Sequence, residues 1–165
     1  IAVVMLIKLL MPLMELNSKI VNVISVTSNK KIDKSLFNST KESYSQLGDY
    51  SKSKAALAIY TSKLAESIGD NFILNAADPG VVNTNIITMH RWYDRLADFL
   101  FRPFIKSPKQ GAKPIINAFL SNVGFYLFKN NSKKEYPKKI TNNYLKDWLW
   151  DQTNIIIDKI EQDFI

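Results

Sequence analysis

The chain has 165 residues, enough for one domain of ordinary size or for a large part of a bigger one. It is 46% hydrophobic and 22% charged, which is the composition of a globular protein rather than a disordered one. It has no cysteine and a single histidine, His90, which excludes a disulfide framework, a cysteine nucleophile and a histidine-rich zinc site.

The 22 basic residues outnumber the 15 acidic ones and give a net charge of +7. Such a charge favours nucleic acid, anionic membrane or phosphate-bearing molecules as partners. The lysines are scattered, however, and the densest cluster, from Lys129 to Lys139, has the polar composition of a solvated loop. We therefore do not expect a nucleic-acid partner.

The chain opens with an apolar run at residues 1–16, IAVVMLIKLLMPLMEL. The run lacks the basic start and the small-residue cleavage site of a signal peptide. It is too short for a transmembrane helix, and Lys8 and Pro12 interrupt it. We expect a buried helix, and because Ile1 is not a methionine we expect that the natural beginning has been cut away.

Strand and helix signals alternate in the first half. The β-branched run KIVNVIS at 19–25 is typical of a strand buried on both faces of a parallel sheet. Apolar residues at helical spacing predict a helix over 49–68, which Gly69 ends. FILNAA at 72–77 predicts the next strand, which the Asp-Pro-Gly sequence at 78–80 breaks. This alternation predicts an α/β sheet with crossover helices.

The second half continues with shorter elements. The aromatic-rich stretch MHRWYDRLADFLFRPF at 89–104 predicts one or two short helices, and 107–121 predicts another. GFYLF at 124–128 is a third candidate strand, and a last amphipathic helix is expected over 141–162. No internal repeat or linker divides the chain, so we expect residues 1–165 to form one domain or part of one.

Tyr50 and Lys54 are the first candidates for chemistry. They are four positions apart at the head of the long predicted helix, so they lie on one face, one turn from each other. A phenol is a poor base at neutral pH because its pKa is about 10, but a nearby ammonium favours the phenolate. Such a pair could act as a general acid/base on an alcohol or carbonyl. By itself the spacing is also that of an ordinary exposed helical pair.

Two further features converge on the same edge of the predicted sheet. Ser25 ends the first strand, where open α/β sheets place their ligands. After the second strand, Pro79, Gly80 and Thr84 open a loop over that edge. A strand-end hydroxyl that caps backbone is the bland alternative for Ser25, and a turn or N-cap residue is the alternative for Thr84.

The segments KIVNVIS, YSKSK and NAADPGVVNT, in this order, resemble the short-chain dehydrogenase/reductase family. The match is closest to the retinol dehydrogenase-like branch, and FRPFIKSPKQGAKPII and GFYLF resemble later segments of that branch. The resemblance implies the C-terminal part of a Rossmann-like, doubly wound parallel sheet with flanking helices. The strands present would be the fifth, sixth and seventh, with the N-terminal strands missing.

The resemblance also implies roles for residues. Ser25 would bond the substrate oxygen, Tyr50 would donate or accept the proton, and Lys54 would hold the ribose hydroxyls and favour the phenolate of Tyr50. Pro79, Gly80, Val82 and Thr84 would lie beside the nicotinamide of NAD or NADP. The 85–106 segment would form the substrate loop, whose aromatic residues suit an apolar alcohol or carbonyl. His90 and Trp92 fit packing in this loop better than substrate binding.

The sequence departs from the family pattern in its cofactor-binding part. None of the five glycines has the spacing of the phosphate-binding turn: Gly48, Gly69, Gly80, Gly111 and Gly124. The residue that would choose between NAD and NADP is absent with that turn, and the family's helical asparagine would fall before Ile1. We therefore expect the whole protein to be a dehydrogenase and these 165 residues alone to be inactive. The alternative is a non-catalytic interaction protein of the same fold.

The resemblance carries three further expectations. Residues 1–16 and 49–68 would form a homodimer interface, as the corresponding helices commonly do in relatives. Membrane association would depend on the missing N-terminal part. The location would be the cytoplasm or the cytoplasmic face of the endoplasmic reticulum, and the sequence leaves that choice open.

Overall fold

The structure, a computed structural model, describes residues 1–25, 40–82, 106–138 and 140–163. Thr84 and nearly all of the expected substrate loop lie outside the described residues. The described residues form four helices and four strands: α1 (Ala2–Leu10), β1 (Lys19–Val23), α2 (Gln46–Ile68), β2 (Ile73–Asp78), α3 (Pro108–Leu120), β3 (Leu127–Lys129), β4 (Ser132–Lys134) and α4 (Asn143–Asp163).

The four strands form one sheet in the order β1-β2-β3-β4. β1, β2 and β3 are parallel, with Val23 opposite Ala77 and Ala77 opposite Phe128. β4 pairs antiparallel with β3. The parallel strands and their crossover helices confirm the expected α/β fold, a partial Rossmann-like sheet.

Helices cover both faces of the sheet. Side chains alternate along β2: Leu74 and Ala76 pack into the larger core with α1, α2 and α4. Ala77 points to the opposite face, where it packs with Ala118 of α3 and with Phe128. Because both faces are buried, β2 carries apolar or hydrogen-bonded residues throughout, as the sequence indicated.

The long helix α2 begins at Gln46, three residues before its expected start. The reason is its cap: Ser45 Oγ accepts from the Gly48 N–H at 3.3 Å, and the Asp49 carboxylate accepts from the Ser45 N–H at 2.7 Å. This cap places Tyr50 in the second turn of a fixed helix. α3 begins with a full capping box between Ser107 and Gln110.

The expectation of a buried first helix is wrong for most of its surface. α1 buries only Val4 and Ile7, while Leu6 is 56% and Leu9 54% exposed. The helix ends in a short 3-10 turn over Met11–Leu13. One stripe of α1 therefore packs on the protein and the opposite stripe faces solvent.

The third strand is shorter than GFYLF, because Phe125 has φ +69°, which an ordinary strand excludes. The sequence reading also missed β4, which lies in the lysine-rich stretch expected to be a loop. All three residues of β4 are exposed, so its lysines keep their solvation while the backbone pairs with β3. Among the described residues, no helix combines the length and apolar character needed to cross a bilayer.

Candidate functional site

Lys54 lies against the carboxyl end of β1. Its Nζ donates a hydrogen bond to the Val23 carbonyl at 3.0 Å, and it lies 6.0 Å from the centre of the Tyr50 ring. Tyr50 is 53% exposed. The helix thus holds a phenol and an ammonium together at the edge of the sheet where parallel α/β proteins bind ligands.

Ser25 lies two residues beyond the end of β1. The Ile24 N–H donates to the Ala77 carbonyl at 2.9 Å, so the pairing of β1 with β2 continues up to the residue before the serine. Ser25 is half-buried and also takes part in an interaction of its own. Its position next to the strand end that Lys54 contacts brings these two site residues to one edge.

The Pro79-Gly80 turn follows β2 at the same edge. Gly80 has φ +75°, a conformation that favours glycine over residues with a side chain. The Gly80 N–H donates to Asp78 Oδ1 at 2.9 Å. Asp78 is fully buried, and its other oxygen pairs with the Lys129 ammonium of β3 at 2.9 Å. A buried carboxylate therefore fixes the turn to the neighbouring strand.

Lys106 secures the same loop from the other side. Its Nζ donates to the Pro79 carbonyl at 2.9 Å and to the Asn130 side chain at 2.6 Å. Its backbone N–H donates to the Val81 carbonyl at 2.9 Å, and Val82 forms an isolated parallel bridge with it. These contacts tie the loop after β2 to the β3–β4 hairpin.

Gly111 lets this loop lie close to α3. A Cβ atom on Gly111 would lie 2.5 Å from Val82 Cγ2, closer than any normal contact. Sequence reasoning missed Asp78, Lys106 and Lys129 as supports of the turn; the acidic residue directly before Pro79 was the one signal available.

The structure places most of the predicted site residues, but not all of them, at one edge of the sheet. Ser25, Lys54 and the Pro79-Gly80 turn lie at one edge of the sheet, and Tyr50 is one turn from Lys54. Val82 lies in the loop beyond, packed on α3. Thr84 lies outside the described residues. The roles expected for all of these residues stay predictions.

Another tyrosine of α2, Tyr60, differs sharply from Tyr50. It is 6% exposed and stacks on Trp150 with 4.8 Å between ring centres. Burial raises the pKa of Tyr60 to about 12. Tyr60 therefore stays protonated at neutral pH and serves as a core residue, which leaves the exposed Tyr50 as the tyrosine of α2 that a ligand could reach.

A cavity of about 370 Å³ lies between residues 1–4, one face of α2, and Leu149 and Thr153 of α4. Lys54 borders it, but neither Ser25 nor Tyr50 does. Because neither of these two residues lines the cavity, we do not assign it to the substrate. Within the described ranges no group of three or more His, Asp or Glu side chains could hold a metal ion.

Comparison with known proteins finds relatives that are similar in sequence to this chain. The chain is 31% identical over 118 residues to human polyprenol dehydrogenase, a match that covers 67% of the chain and 36% of that protein. Mouse polyprenol dehydrogenase is 30% identical over 118 residues, covering 67% and 35%. Mouse retinol dehydrogenase 14 is 29% identical over 127 residues, covering 72% and 38%. No family model matches the chain.

The chain is a relative of the short-chain dehydrogenases/reductases. The matches confirm the resemblance seen in the strand-end serine, the YSKSK helix and the Pro-Gly loop. The chain spans just over a third of the length of the curated relatives it matches. The four-stranded, mostly parallel sheet with its flanking helices is consistent with a partial Rossmann-like fold.

Proposed function

We propose that the protein is an NAD(P)-dependent oxidoreductase that transfers hydride between nicotinamide and an apolar alcohol or carbonyl. The observation that supports the proposal most is the position of Lys54. Its ammonium is bonded to the end of β1, one helical turn from an exposed phenol and beside a strand-end serine. A proton donor, a cation and a substrate-oxygen ligand are then available at one sheet edge.

Tyr50 would exchange the proton with the substrate oxygen, and Ser25 would hold that oxygen by a hydrogen bond. Lys54 would favour the phenolate form electrostatically. When bound, the nicotinamide nucleotide supplies or accepts the hydride. Each group of the protein would thus act on charge that develops at the substrate oxygen during the reaction.

The described residues fit the nicotinamide end of such a nucleotide. An ammonium has three N–H groups, and within the described residues the Val23 carbonyl takes one of those of Lys54, which leaves donors for ribose hydroxyls. The Pro79-Gly80 turn and Val82 follow β2 at the same edge of the sheet, and the Lys106 side chain packs against Gly80 there. Pro79, Gly80 and Val82 are therefore our candidates for the nicotinamide contact, with Thr84 as the expected partner of its carboxamide.

The names of the relatives support an apolar alcohol as substrate. Polyprenol and retinol are both alcohols with long apolar chains, and a dehydrogenase named for each is similar to this chain. We extend this substrate class to the present protein as a proposal. The choice between NAD and NADP stays open, because the residue that would decide it is not in this sequence.

We also propose that these 165 residues do not bind the nucleotide alone, since the sequence holds no glycine-rich phosphate-binding turn. The second candidate function is a non-catalytic interaction protein of the same fold. The exposed stripe of α1 favours it, because an apolar surface of this kind suits a protein contact. A homodimer through residues 1–16 and 49–68 would be one such contact.

Calorimetric titration with NADH and NADPH tests the proposal. We expect no binding by the 165-residue chain and binding of one nucleotide by a version extended upstream to a natural methionine. In the extended protein, Lys54→Met should weaken binding by at least about tenfold, which is the loss of one charge-assisted hydrogen bond. Lys52→Met is the matched control, since Lys52 pairs only loosely with Asp49 at 3.8 Å. If the extended protein binds neither nucleotide, the interaction-protein alternative becomes the better account.

A further inference from the structure

We infer that the outward face of α3 is a contact surface for an anionic lipid bilayer. We call this surface the α3 patch; its apolar members are Ile116, Phe119, Leu120 and Val123. The inference goes beyond the proposed oxidoreductase activity and does not rest on it. It concerns binding in the plane of the bilayer surface rather than a membrane-spanning segment.

The α3 patch is exposed although its members are large and apolar. Ile116 is 52%, Phe119 58%, Leu120 67% and Val123 46% exposed. The opposite face of the same helix is used for the fold, because it packs Ala118 against Ala77 and Phe128 of the sheet. Both faces of α3 therefore carry apolar residues. One face packs on the sheet, and the other faces solvent, unlike the polar outer face of an ordinary surface helix.

Lysines surround the patch. Lys109, Lys113, Ile116 and Leu120 follow one another at helical spacing along one stripe of α3, and both lysines are exposed. Lys19 comes from β1 to the same place: its Nζ lies 5.9 Å from the centre of the Phe119 ring and 3.0 Å from Asn122 Oδ1.

The charge on α3 itself has one sign. Its 13 residues contain two lysines, Lys109 and Lys113, and no aspartate or glutamate. Exposed phenylalanine and leucine next to lysines is the composition of helices that lie in the headgroup region of anionic bilayers. The lysines would contact lipid headgroups while the Phe119 and Leu120 side chains reach the acyl boundary.

The same charge argues against a second copy of the chain as the occupant. A twofold contact places the same surface of both protomers against each other, which would bring six lysines, Lys19, Lys109 and Lys113 of each protomer, into one interface. A bilayer that contains phosphatidylserine has complementary charge instead. We therefore assign the α3 patch to a lipid bilayer, and the experiment below also detects self-association.

The location of the patch is compatible with a working site elsewhere. Lys19 is the first residue of β1, so the end of α3 that it contacts lies at the amino edge of the parallel strands. Ser25, Lys54 and the Pro79-Gly80 turn lie at the carboxyl edge. A bilayer on the α3 patch would thus leave the candidate site uncovered.

Sedimentation with lipid vesicles tests the inference. We expect the chain to sediment with vesicles of phosphatidylcholine and phosphatidylserine, to bind phosphatidylcholine vesicles far more weakly, and to be released by salt. Lys109→Ser with Lys113→Ser should weaken binding roughly 30-fold, since each basic residue near an anionic surface contributes about a fivefold step in affinity. Phe119→Ser with Leu120→Ser should weaken it at least about tenfold.

Two substitutions on α4 provide matched controls, Ile155→Ser, at a side chain that is 48% exposed, and Lys159→Ser, at an exposed lysine. Both should bind vesicles as the unchanged chain does, and circular dichroism should show the same helix content in every variant. Equal binding to both vesicle types, or unchanged binding by the lysine variant, would overturn the inference. So would a dimer in light scattering that the Phe119→Ser and Leu120→Ser changes abolish without any vesicle binding; that result would assign the patch to a second copy.

Discussion

The ion pair between Asp78 and Lys129 should stabilise the turn at the candidate site, and Lys129→Met tests this. The substitution keeps the length of the side chain and removes its charge. The Asp78 side chain is 0% exposed and the Lys129 side chain 27% exposed, at 2.9 Å from each other. Without the Lys129 ammonium, the buried Asp78 carboxylate still accepts the hydrogen bond from the Gly80 N–H, but it no longer has this cation beside it.

Removing one partner of a buried ion pair costs about 3–5 kcal/mol. Because Lys129 is partly exposed, we expect the low end, a loss of about 3 kcal/mol in the free energy of unfolding. Urea denaturation followed by tryptophan fluorescence measures it. Asp78→Asn and the double variant complete a cycle, in which we expect a coupling energy of more than about 1 kcal/mol.

Lys134→Met is the control for this cycle, because Lys134 is an exposed lysine of the neighbouring strand β4. Its effect should stay within about 0.5 kcal/mol. A Lys129→Met variant that unfolds at the same urea concentration as this control would refute the reasoning. The turn would then be held by Lys106 and the backbone alone.

Three more predictions follow from packing, hydrogen bonding and burial. Gly111→Ala should lower the free energy of unfolding by about 1–3 kcal/mol in urea denaturation, because the new methyl would lie 2.5 Å from Val82. Asn75→Ala should cost about 3 kcal/mol by the same assay, since this fully buried amide donates to the Ala118 and Val123 carbonyls and accepts from the Tyr126 N–H. Burial raises the pKa of Tyr60 to about 12, against about 10 in the unfolded chain. The folded state therefore holds the tyrosine proton more tightly than the unfolded state does. The resulting stability is present below pH 10 and is lost as the pH rises towards 12. Tyr60→Phe should therefore flatten the alkaline loss of stability, by about 2 kcal/mol.

Each of these has a clear contrary result. A Gly111→Ala variant as stable as the unchanged chain would mean that the loop at Val82 does not pack on α3. An Asn75→Ala variant that loses less than about 0.5 kcal/mol would show that water replaces its bonds without cost. An alkaline transition that is the same with Tyr60 and with phenylalanine at that position would place the proton linkage on another group.

The sheet could be predicted from sequence because its first two strands have clear local sequence signals. KIVNVIS and FILNAA are short apolar runs ended by polar or turn residues. The helix between them has apolar residues at helical spacing. The edge where Ser25 and Lys54 meet follows from parallel topology alone. Even the shift of the α2 start to Gln46 has a local cause, the Ser45 cap, which the sequence reading did not weigh.

What the sequence could not supply depends on contacts between distant residues. Asp78 reads as a turn residue until the fold brings Lys129 to it from the next strand. β4 was missed because lysines carry little strand propensity, and pairing with β3 is what orders them. The exposure of α1 depends on which neighbours cover it, and its apolar composition predicted burial on every side.

The oxidation of retinol and of a polyprenol with NAD or NADP, measured in the protein extended upstream, tests the central proposal most directly. Tyr50→Phe should lower kcat by about 10²–10⁴-fold, the usual contribution of a general acid/base, with nucleotide binding retained. Tyr44→Phe is the matched control, since Tyr44 is 64% exposed and lies before the helix; its kcat should not change. A Tyr50→Phe enzyme that turns over as fast as the Tyr44→Phe enzyme would contradict the account.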